Sequence, residues 1–316
     1  MFSVCYVLVD TGELKYFNQM MISIRSLQLH YDGEVNVILD TDTLNQIQGK
    51  GFFNVFERYS LKYIVENFDY SSVSKKKISR LLKTSLRKYV QGDFLYLDTD
   101  TIIADDLGKL ALDSDIAMLC DGVFESHQAA SYVFSDHKED LVQSDLTKKG
   151  YFEYVSGDLY FNSGVIWCKD TELAKHFFNC WYNNYVNDVF IYDQIALYKT
   201  NKKLGYVIQM LDPHYNVQVY HELSMQYFED AKIIHYFNYS VDNSTYILSG
   251  DLKYNFESKE IDWLIENPKK GMVFHRKPNP DNLEQFFMNL KRKKPLLYSK
   301  IDGLFYKLHQ LRRRKE

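Results

Sequence analysis

FLYLDTD, residues 94–100, joins four apolar residues directly to two carboxylates one residue apart. A short, continuous apolar run of this kind predicts a β-strand that is buried on both faces. Two segments with helical spacing, at about 17–30 and 72–90, separate such runs. Strands that alternate with helices predict an α/β fold with a mostly parallel central sheet flanked by helices. The other runs in the first half of the chain are VCYVLVD (4–10), VNVILD (35–40) and IAMLCD (116–121).

An aspartate stands at the end of each of these runs. Ligands of parallel α/β sheets bind beyond the carboxyl ends of the strands. We therefore expect functional side chains just after the runs. Later apolar runs at 160–168, 205–212 and 231–237 extend the pattern through the second half of the chain.

The composition is that of a globular protein. The 316 residues are 46% hydrophobic and 25% charged, with 14 Gly and 5 Pro, which excludes collagen and low-complexity disorder. No apolar stretch approaches the ~18 residues of a spanning helix, and the first residues lack the pattern of a signal peptide. The four cysteines form no C-x-x-C pair, so we expect a reducing, cytoplasmic location. They are Cys5, Cys120, Cys168 and Cys180.

Charge is unevenly distributed. The chain carries a net charge of −4, yet ten of the residues in 291–316 are Lys or Arg and only two are acidic. This pattern predicts a local anchor, a basic amphipathic tail, and no nucleic-acid partner. Residues 295–316 place apolar side chains on one helical stripe, so the tail either contacts an anionic membrane surface or docks on its own domain. The predicted organisation is a main domain over 1–245, an extension over 246–290 and the tail over 291–316.

Asp98 and Asp100 are the sharpest candidates for chemistry. In an extended chain residues i and i+2 point the same way, so both carboxylates can face one ion. Oxygen ligands of this type suit Mg²⁺ or Mn²⁺. The alternative is an Asp-rich turn after a strand. Asp40 and Asp42 have the same spacing, but helical residues follow them, so we interpret that pair as structural, with Thr41 or Asp42 as a helix N-cap.

Four further positions have both a structural and a functional interpretation. His235 closes an apolar strand and is either a metal ligand or a satisfied structural residue. The Asn162-Ser163-Gly164 interruption of a strand is either a kink or a site of close approach with sugar-binding polarity. Asp193-Gln194 opens a helix-like segment and includes a possible N-cap. Arg80 lies on a basic helix face that either reaches a phosphate or sugar or is simply solvated.

The order of these motifs is more specific than any one of them. This order resembles the retaining glycosyltransferases of family 8, which include glycogenin and bacterial lipopolysaccharide galactosyltransferases. The resemblance covers roughly residues 1–240 and implies a single nucleotide-sugar-binding domain of the GT-A type with a helical C-terminal extension. The series is Asp10, SRLL (79–82), YLDTD (96–100), Asp121, FNSGV (161–165), DQ (193–194) and IIHY (233–236).

The resemblance implies a role for each matching residue. Asp98, Asp100 and His235 would hold Mn²⁺ (or Mg²⁺) on the diphosphate of a UDP-sugar. The residues that would lie at the nucleotide are Val9, Asp10, Thr11, Tyr16 and Thr99. Those that would contact the donor sugar, or hydroxyls of donor or acceptor, are Arg80, Asn162, Asp121 and Asp193. Gln194 would lie near the anomeric carbon.

The activity that the resemblance implies is the transfer of a hexose, with retention of configuration, to a glycan or lipid-linked acceptor in cell-surface polysaccharide assembly. A covalent route would use Asp193 or Asp158 as the carboxylate nucleophile, whereas a front-side route would use Gln194 as an electrostatic support. The tail would place the protein on the inner face of the plasma membrane.

The sequence departs from the family pattern in two places. Residues 10–13 read Asp-Thr-Gly-Glu where relatives often have an Asp-Asp-Asn-Tyr-like stretch. The Lys-Pro-Trp that commonly follows the histidine is absent, and the first lysine after His235 is Lys253. Two rival functions are therefore kept: an inactive sugar-nucleotide-binding scaffold, and an aspartate-nucleophile phosphatase suggested by residues 98–102.

Overall fold

A computed structural model describes residues 2–121 except 70, 72, 109 and 111, residues 159–187, 193–219, 224–236 and 255–269, and isolated positions between 286 and 301. Within these ranges the protein is a mixed α/β structure with a mostly parallel central sheet flanked by helices. The alternation of apolar runs and helical segments predicted this architecture, and the prediction is confirmed.

The central sheet contains seven strands in the described part of the chain. They are β1 (Ser3–Leu8), β2 (Val35–Asp40), β3 (Leu61–Glu66), β4 (Phe94–Leu97), β6 (Ile116–Cys120), β7 (Phe161–Cys168) and β8 (Gln209–Met210). Their order across the sheet is β3-β2-β1-β4-β7-β6-β8. The first four strands of the chain run parallel to one another, and β7 runs antiparallel to both of its neighbours, β4 and β6.

The strands of this sheet carry apolar side chains on both faces, and helices pack on both faces and bury them. In β1, Val4, Tyr6 and Leu8 belong to the core on the side of the first helix, while Cys5 and Val7 belong to the core on the opposite side. This division follows the two-residue period of a strand. The helices are α1 (Lys15–Leu27), α2 (Thr41–Gly49), α3 (Asn54–Arg58), α4 (Lys75–Thr84), α5 (Leu86–Tyr89), α6 (Glu172–Asn187), α7 (Asp193–Lys203) and α8 (Lys259–Glu266).

The Asp40-x-Asp42 pair is structural, as the sequence indicated. The cap of α2, however, is Asp40, whose carboxylate accepts a hydrogen bond from the backbone N–H of Thr43 at 3.3 Å, so the expectation of Thr41 or Asp42 was wrong. Asp40 and Asp42 also both pair with Lys75, at 2.7 and 2.5 Å. The two carboxylates are thus occupied by a helix end and a lysine.

A small second sheet stands next to the carboxyl end of β4. It contains β5 (Thr101–Ile103), β10 (Ile233–His235) and β9 (Val217–Gln218), with β10 in the middle. Strand β5 begins immediately after Asp98-Thr99-Asp100 and pairs antiparallel with β10, so that His235 stands opposite Thr101. Ser23 of α1 bonds the hydroxyl of Thr101 at 2.9 Å, which ties this sheet to the first helix.

Residues 255–269 pack against α1. The backbone N–H of Phe256 donates to the side-chain oxygen of Asn18 at 2.6 Å, and Arg25 pairs with Asp262 at 2.7 Å. The domain boundary predicted at residue 245 lies outside the described residues, as do residues 302–316 of the predicted tail. None of the helices that the structure describes is long and apolar enough to cross a membrane.

Candidate active site

A cavity of about 570 Å³ opens at the carboxyl edge of the central sheet, at the end of β4. This is the edge where the sequence predicted functional side chains. The residues that line the cavity are Val7, Val9, Thr11, Tyr16, Lys75, Lys76, Ser79, Arg80, Lys83, Tyr96, Asp98, Thr99, Asp100, Asp121, Asn162, Ser163, Gly164, Asp193, Gln194 and His235.

The antiparallel direction of β7 brings its first residues to this edge. Leu97 of β4 pairs with Val165, and the backbone N–H of Asp98 donates to the carbonyl oxygen of Gly164 at 2.7 Å. In a parallel strand, the residues at the start of β7 would lie at the opposite end of the sheet. The single reversal of strand direction therefore places Asn162 and Gly164 beside the two aspartates.

Asp98, Asp100 and His235 converge in the lining of the cavity. One potential ligand atom from each of the three side chains lies within 4.8 Å of the others. Nε2 of His235 is 3.3 Å from Oδ1 of Asp100. The pairing of β5 with β10 produces this proximity, and the backbone N–H of Tyr236 bonds the carbonyl oxygen of Asp100 at 2.8 Å. The three side chains form a group that can hold a metal ion.

A chain of hydrogen bonds orients the imidazole. The backbone N–H of Gly164 donates to Oδ1 of Asn162 at 2.9 Å, and Nδ2 of Asn216 donates to the same oxygen at 3.2 Å. Oδ1 of Asn216 must then be the atom 3.0 Å from Nδ1 of His235, so Nδ1 carries the proton. In neutral His235 the lone pair is therefore on Nε2, the nitrogen nearer Asp100, and this tautomer is the one that metal binding needs.

Gly164 provides the space that the imidazole occupies. A Cβ atom at this position would lie 2.1 Å from Cε1 and 2.8 Å from Nε2 of His235, whose ring is 1% exposed. These distances are far shorter than van der Waals contact. The glycine that interrupts the FNSGV strand is thus required by the close approach of His235.

The polar face of α4 forms one wall of the cavity. Lys75, Ser79, Arg80 and Lys83 all line it, while Ile78 and Leu82 on the other face pack into the core. The sequence allowed two interpretations of this basic face, a solvated surface or a contact with phosphate or sugar. In the structure the face lines the cavity. Positive charge on this wall is complementary to an anionic ligand.

Lys83 contacts Asp98, the first aspartate of the group that can hold a metal ion. Its Nζ lies 3.0 and 3.3 Å from the two carboxylate oxygens of Asp98, and its side chain is 10% exposed. The hydroxyl of Tyr96 donates to Oδ1 of Asp98 at 2.5 Å. Burial raises the pKa of Tyr96, and the charge of Asp98 raises it further, so the phenol stays protonated and acts as a donor.

Two opposing effects act on the pKa of Asp100. Burial by itself raises the pKa of a carboxyl group. When His235 is protonated on both ring nitrogens, its charge and its hydrogen bond to Asp100 outweigh burial and lower the pKa of Asp100 from its usual value. The ionised carboxylate, which is the form that binds cations, is therefore favoured.

Asp193 and Gln194 stand at the start of α7 and also line the cavity. Asp193 accepts hydrogen bonds from Nε of Arg80 at 3.0 Å and from the hydroxyl of Ser163 at 3.2 Å. Gln194 donates from Nε2 to Oδ2 of Asp121 at 3.2 Å and to the carbonyl oxygen of Phe161 at 3.3 Å. Both side chains are therefore held in fixed positions facing the cavity.

The residues predicted to meet a nucleotide occupy the end of the cavity next to β1. Val9, Thr11, Tyr16 and Thr99 line it, and Tyr16 is 41% exposed. Asp10 does not line it. Its carboxylate is fully buried and accepts hydrogen bonds from the backbone N–H groups of Thr11 and Phe17, at 2.7 and 3.0 Å, so Asp10 anchors the start of α1.

Twelve of the fourteen predicted site residues thus line one cavity. Asp10 is buried and does not line it, and Asp158 lies outside the described residues. Sequence reasoning did not single out Asn216 or Lys83. Asn216 stands in a turn before a two-residue strand and has no pattern around it. One feature of the sequence could have indicated Lys83: it lies one helical turn after Arg80, on the same basic face.

The family of the chain follows from comparison with known proteins. The family model for nucleotide-diphospho-sugar transferases matches residues 31–261, and the chain belongs to that family. It is a glycosyltransferase that uses a sugar-nucleotide donor. Membership of this family favours sugar transfer over the phosphatase alternative. No curated protein matches the chain by sequence.

Solved glycosyltransferases share the fold. The galactosyltransferase LgtC, in the form of an active-site mutant, matches with a TM-score of 0.52 and 12% identity over 89% of this chain and 98% of that chain. LgtC in complex with donor and acceptor sugar analogues matches with a TM-score of 0.50 and 12% identity over 90% and 99%. The bifunctional glycosyltransferase WbbM matches with a TM-score of 0.51 and 18% identity over 85% of this chain, which spans half of the WbbM chain. At these identities the likeness concerns the fold.

Proposed function

We propose that this protein is a metal-dependent retaining hexosyltransferase of the family 8 type that takes its sugar from a UDP-sugar. The observation that carries the proposal is the convergence of Asp98, Asp100 and His235 in one cavity of a nucleotide-diphospho-sugar transferase. Two carboxylates and one imidazole are a donor set that suits Mn²⁺, with Mg²⁺ as the alternative.

The surroundings of the three side chains fit a bound cation. Asn216 holds His235 in the tautomer with Nε2 available, and Gly164 leaves room for the ring. A bound divalent ion would neutralise charge that develops on the departing diphosphate. Arg80, Lys76 and Lys83 provide further positive charge along the wall formed by α4. Lysine and arginine side chains of the wall would thus contact a diphosphate, while the two aspartates and His235 would hold the metal ion.

Two routes to retention remain compatible with the positions of the side chains. Asp193 is the described carboxylate that can serve a covalent route, but Arg80 and Ser163 both bond to its oxygens and so reduce its nucleophilicity. Gln194, held by Asp121, can support a front-side route by offering its amide dipole to the anomeric carbon. The geometry favours the front-side route because the oxygens of Asp193 are already engaged.

The biological setting is part of the proposal. LgtC and WbbM are glycosyltransferases by their names, and a glycan or lipid-linked acceptor in cell-surface polysaccharide assembly is the role that we propose here. A cytoplasmic protein held on the inner face of the plasma membrane by residues 295–316 would have access to such an acceptor.

Calorimetry with UDP tests the proposed function. Binding is expected in Mn²⁺ and is expected to disappear in EDTA, since Asp98, Asp100 and His235 would hold the ion that neutralises the diphosphate. Slow Mn²⁺-dependent hydrolysis of UDP-glucose, UDP-galactose or their N-acetyl forms should then identify the donor. Failure of UDP to bind in Mn²⁺ would refute the proposal, while binding without turnover on any donor or acceptor would identify the scaffold alternative.

Truncation tests the proposed membrane contact. A chain that ends at Pro295 should no longer sediment with vesicles containing phosphatidylglycerol, whereas the full chain should, because each basic residue near the surface contributes about 1 kcal/mol. Neutral phosphatidylcholine vesicles are the control. Equal sedimentation of the two chains with anionic vesicles would show that residues 296–316 are not the anchor.

A further inference from the structure

Lys83 is a buried cation placed between two carboxylates of the cavity. Its Nζ contacts both oxygens of Asp98 and lies 4.0 Å from Oδ2 of Asp193. The ammonium also lies 5.1 Å from the centroid of the Tyr96 ring, within range of a cation–π interaction. Lys83 therefore occupies the position beside Asp98 where the positive charge of a metal ion would act.

We propose that Lys83 is an exchangeable counter-cation: it neutralises Asp98 when the divalent cation is absent, and it contacts the diphosphate of the donor when the cation is bound. The inference rests on the proposed function, because it takes the cavity to bind a nucleoside diphosphate together with a divalent ion. It assigns to Lys83 a binding role that the sequence motifs do not contain.

Electrostatics requires the exchange. An ammonium group and a divalent cation that share one carboxylate repel each other strongly at separations of a few ångströms. Lys83 has a flexible stem with a compact charge at its end, so the ammonium can turn away from Asp98 without any movement of α4. A diphosphate bound to a cation at Asp98 is the nearest new anion, and the ammonium already lines the cavity that would hold it.

Two further cations of the cavity wall form ion pairs outside the Asp98-Asp100-His235 group. Lys75 pairs with Asp40 and Asp42, and Arg80 pairs with Asp193. The sequence between His235 and Lys253 contains neither Lys nor Arg, so the segment after the histidine supplies no cation there. Lys83 thus contacts Asp98 of this group directly.

Two effects of opposite sign follow from removing the charge. Without the ammonium, Mn²⁺ no longer has to displace a cation from Asp98, so Mn²⁺ alone should bind more tightly. The diphosphate loses a charge-assisted hydrogen bond, so UDP should bind less tightly. A residue that only supported the fold would weaken both interactions or neither.

The test is Lys83→Met, which keeps an unbranched apolar stem one atom shorter and removes the charge. Electron paramagnetic resonance of free Mn²⁺, without nucleotide, should show Mn²⁺ affinity increased about threefold or more. Calorimetry at saturating Mn²⁺ should show UDP affinity decreased about tenfold or more, as for loss of a hydrogen bond to a charged group. The affinity for uridine, which has no phosphate, should not change.

Matched variants separate the possible outcomes. Lys88→Met removes a lysine that pairs with Glu66 away from this cavity and should change neither affinity, while Lys83→Arg should keep most of the UDP affinity.

If the unmodified protein fails to bind UDP in Mn²⁺, the proposed function itself is wrong. If it binds UDP and the two affinities of Lys83→Met do not move in opposite directions, the inference alone is wrong. If Lys83→Met loses the native circular dichroism spectrum, Lys83→Gln is measured instead. The inference then requires that Lys83→Gln bind Mn²⁺ more tightly and UDP less tightly.

Discussion

Gly164→Ala is expected to reduce the affinity for Mn²⁺ by at least about 10–100-fold, the range seen when the groups that orient a metal ligand are lost. The new Cβ would lie 2.1 Å from Cε1 of His235. The backbone cannot retreat, because Gly164 accepts a hydrogen bond from Asp98 and donates one to Asn162. The imidazole must therefore leave its position. Overpacking of this kind also costs about 1–3 kcal/mol of stability.

Titration of Mn²⁺ by electron paramagnetic resonance, together with thermal denaturation, measures both effects of Gly164→Ala. Gly49→Ala is the matched control, because no atom lies within 4 Å of the Cβ that it adds. Asn216→Ala should also weaken Mn²⁺ binding, since it removes the acceptor that fixes Nδ1 of His235. In a His235→Ala background, Gly164→Ala should cause no further loss of affinity. Undiminished Mn²⁺ affinity in Gly164→Ala would contradict the role assigned to His235.

Asp100→Asn is expected to eliminate Mn²⁺-dependent binding of UDP, with a loss of at least about 100-fold, larger than for an orienting residue because a ligand itself is changed. The substitution preserves the shape of the side chain and removes its charge. That charge is favoured in the native protein, because His235, when it is protonated, lowers the pKa of Asp100 in spite of burial. Calorimetry with UDP, with and without Mn²⁺, measures the effect.

Asp42→Asn is the control for this prediction because it changes the second aspartate of the other Asp-x-Asp pair. Asp42 pairs with Lys75 and is not among the residues that line the cavity. Its UDP affinity should remain within about threefold of the unmodified protein, as for an exposed ion pair. The rise in melting temperature caused by Mn²⁺ should persist in Asp42→Asn and vanish in Asp100→Asn. Equal UDP affinities in the two variants would refute the proposed metal site.

The two Asp-x-Asp pairs show how much of a residue's role the neighbouring sequence can predict. Both follow an apolar strand, and the helical residues after Asp42 were enough to interpret the first pair as structural. The interpretation of Asp98 and Asp100 stayed open because a turn rich in Asp has the same local sequence. What distinguishes them is His235, more than a hundred residues further along the chain.

The role of Lys83 could not be predicted from neighbouring residues either. Its place on a basic helix face was visible in the sequence, and a basic face is usually solvated. Only the packing of α4 against β1 and α6 shows that this face lines a cavity. Asn216 had no local signal at all, because its role comes from hydrogen bonds to Asn162 and His235 on two different strands.

The sequence by itself determined the α/β architecture and the edge of the sheet at which the site lies, because apolar periodicity and strand ends are properties of neighbouring residues. The tertiary structure decided which of those strand ends meet. The reversed direction of β7 brought Asn162 and Gly164 to the aspartates, and the pairing of β5 with β10 brought His235 beside Asp100. Strand pairing joins residues that are distant in sequence, so its choice depends on the packing of the whole chain.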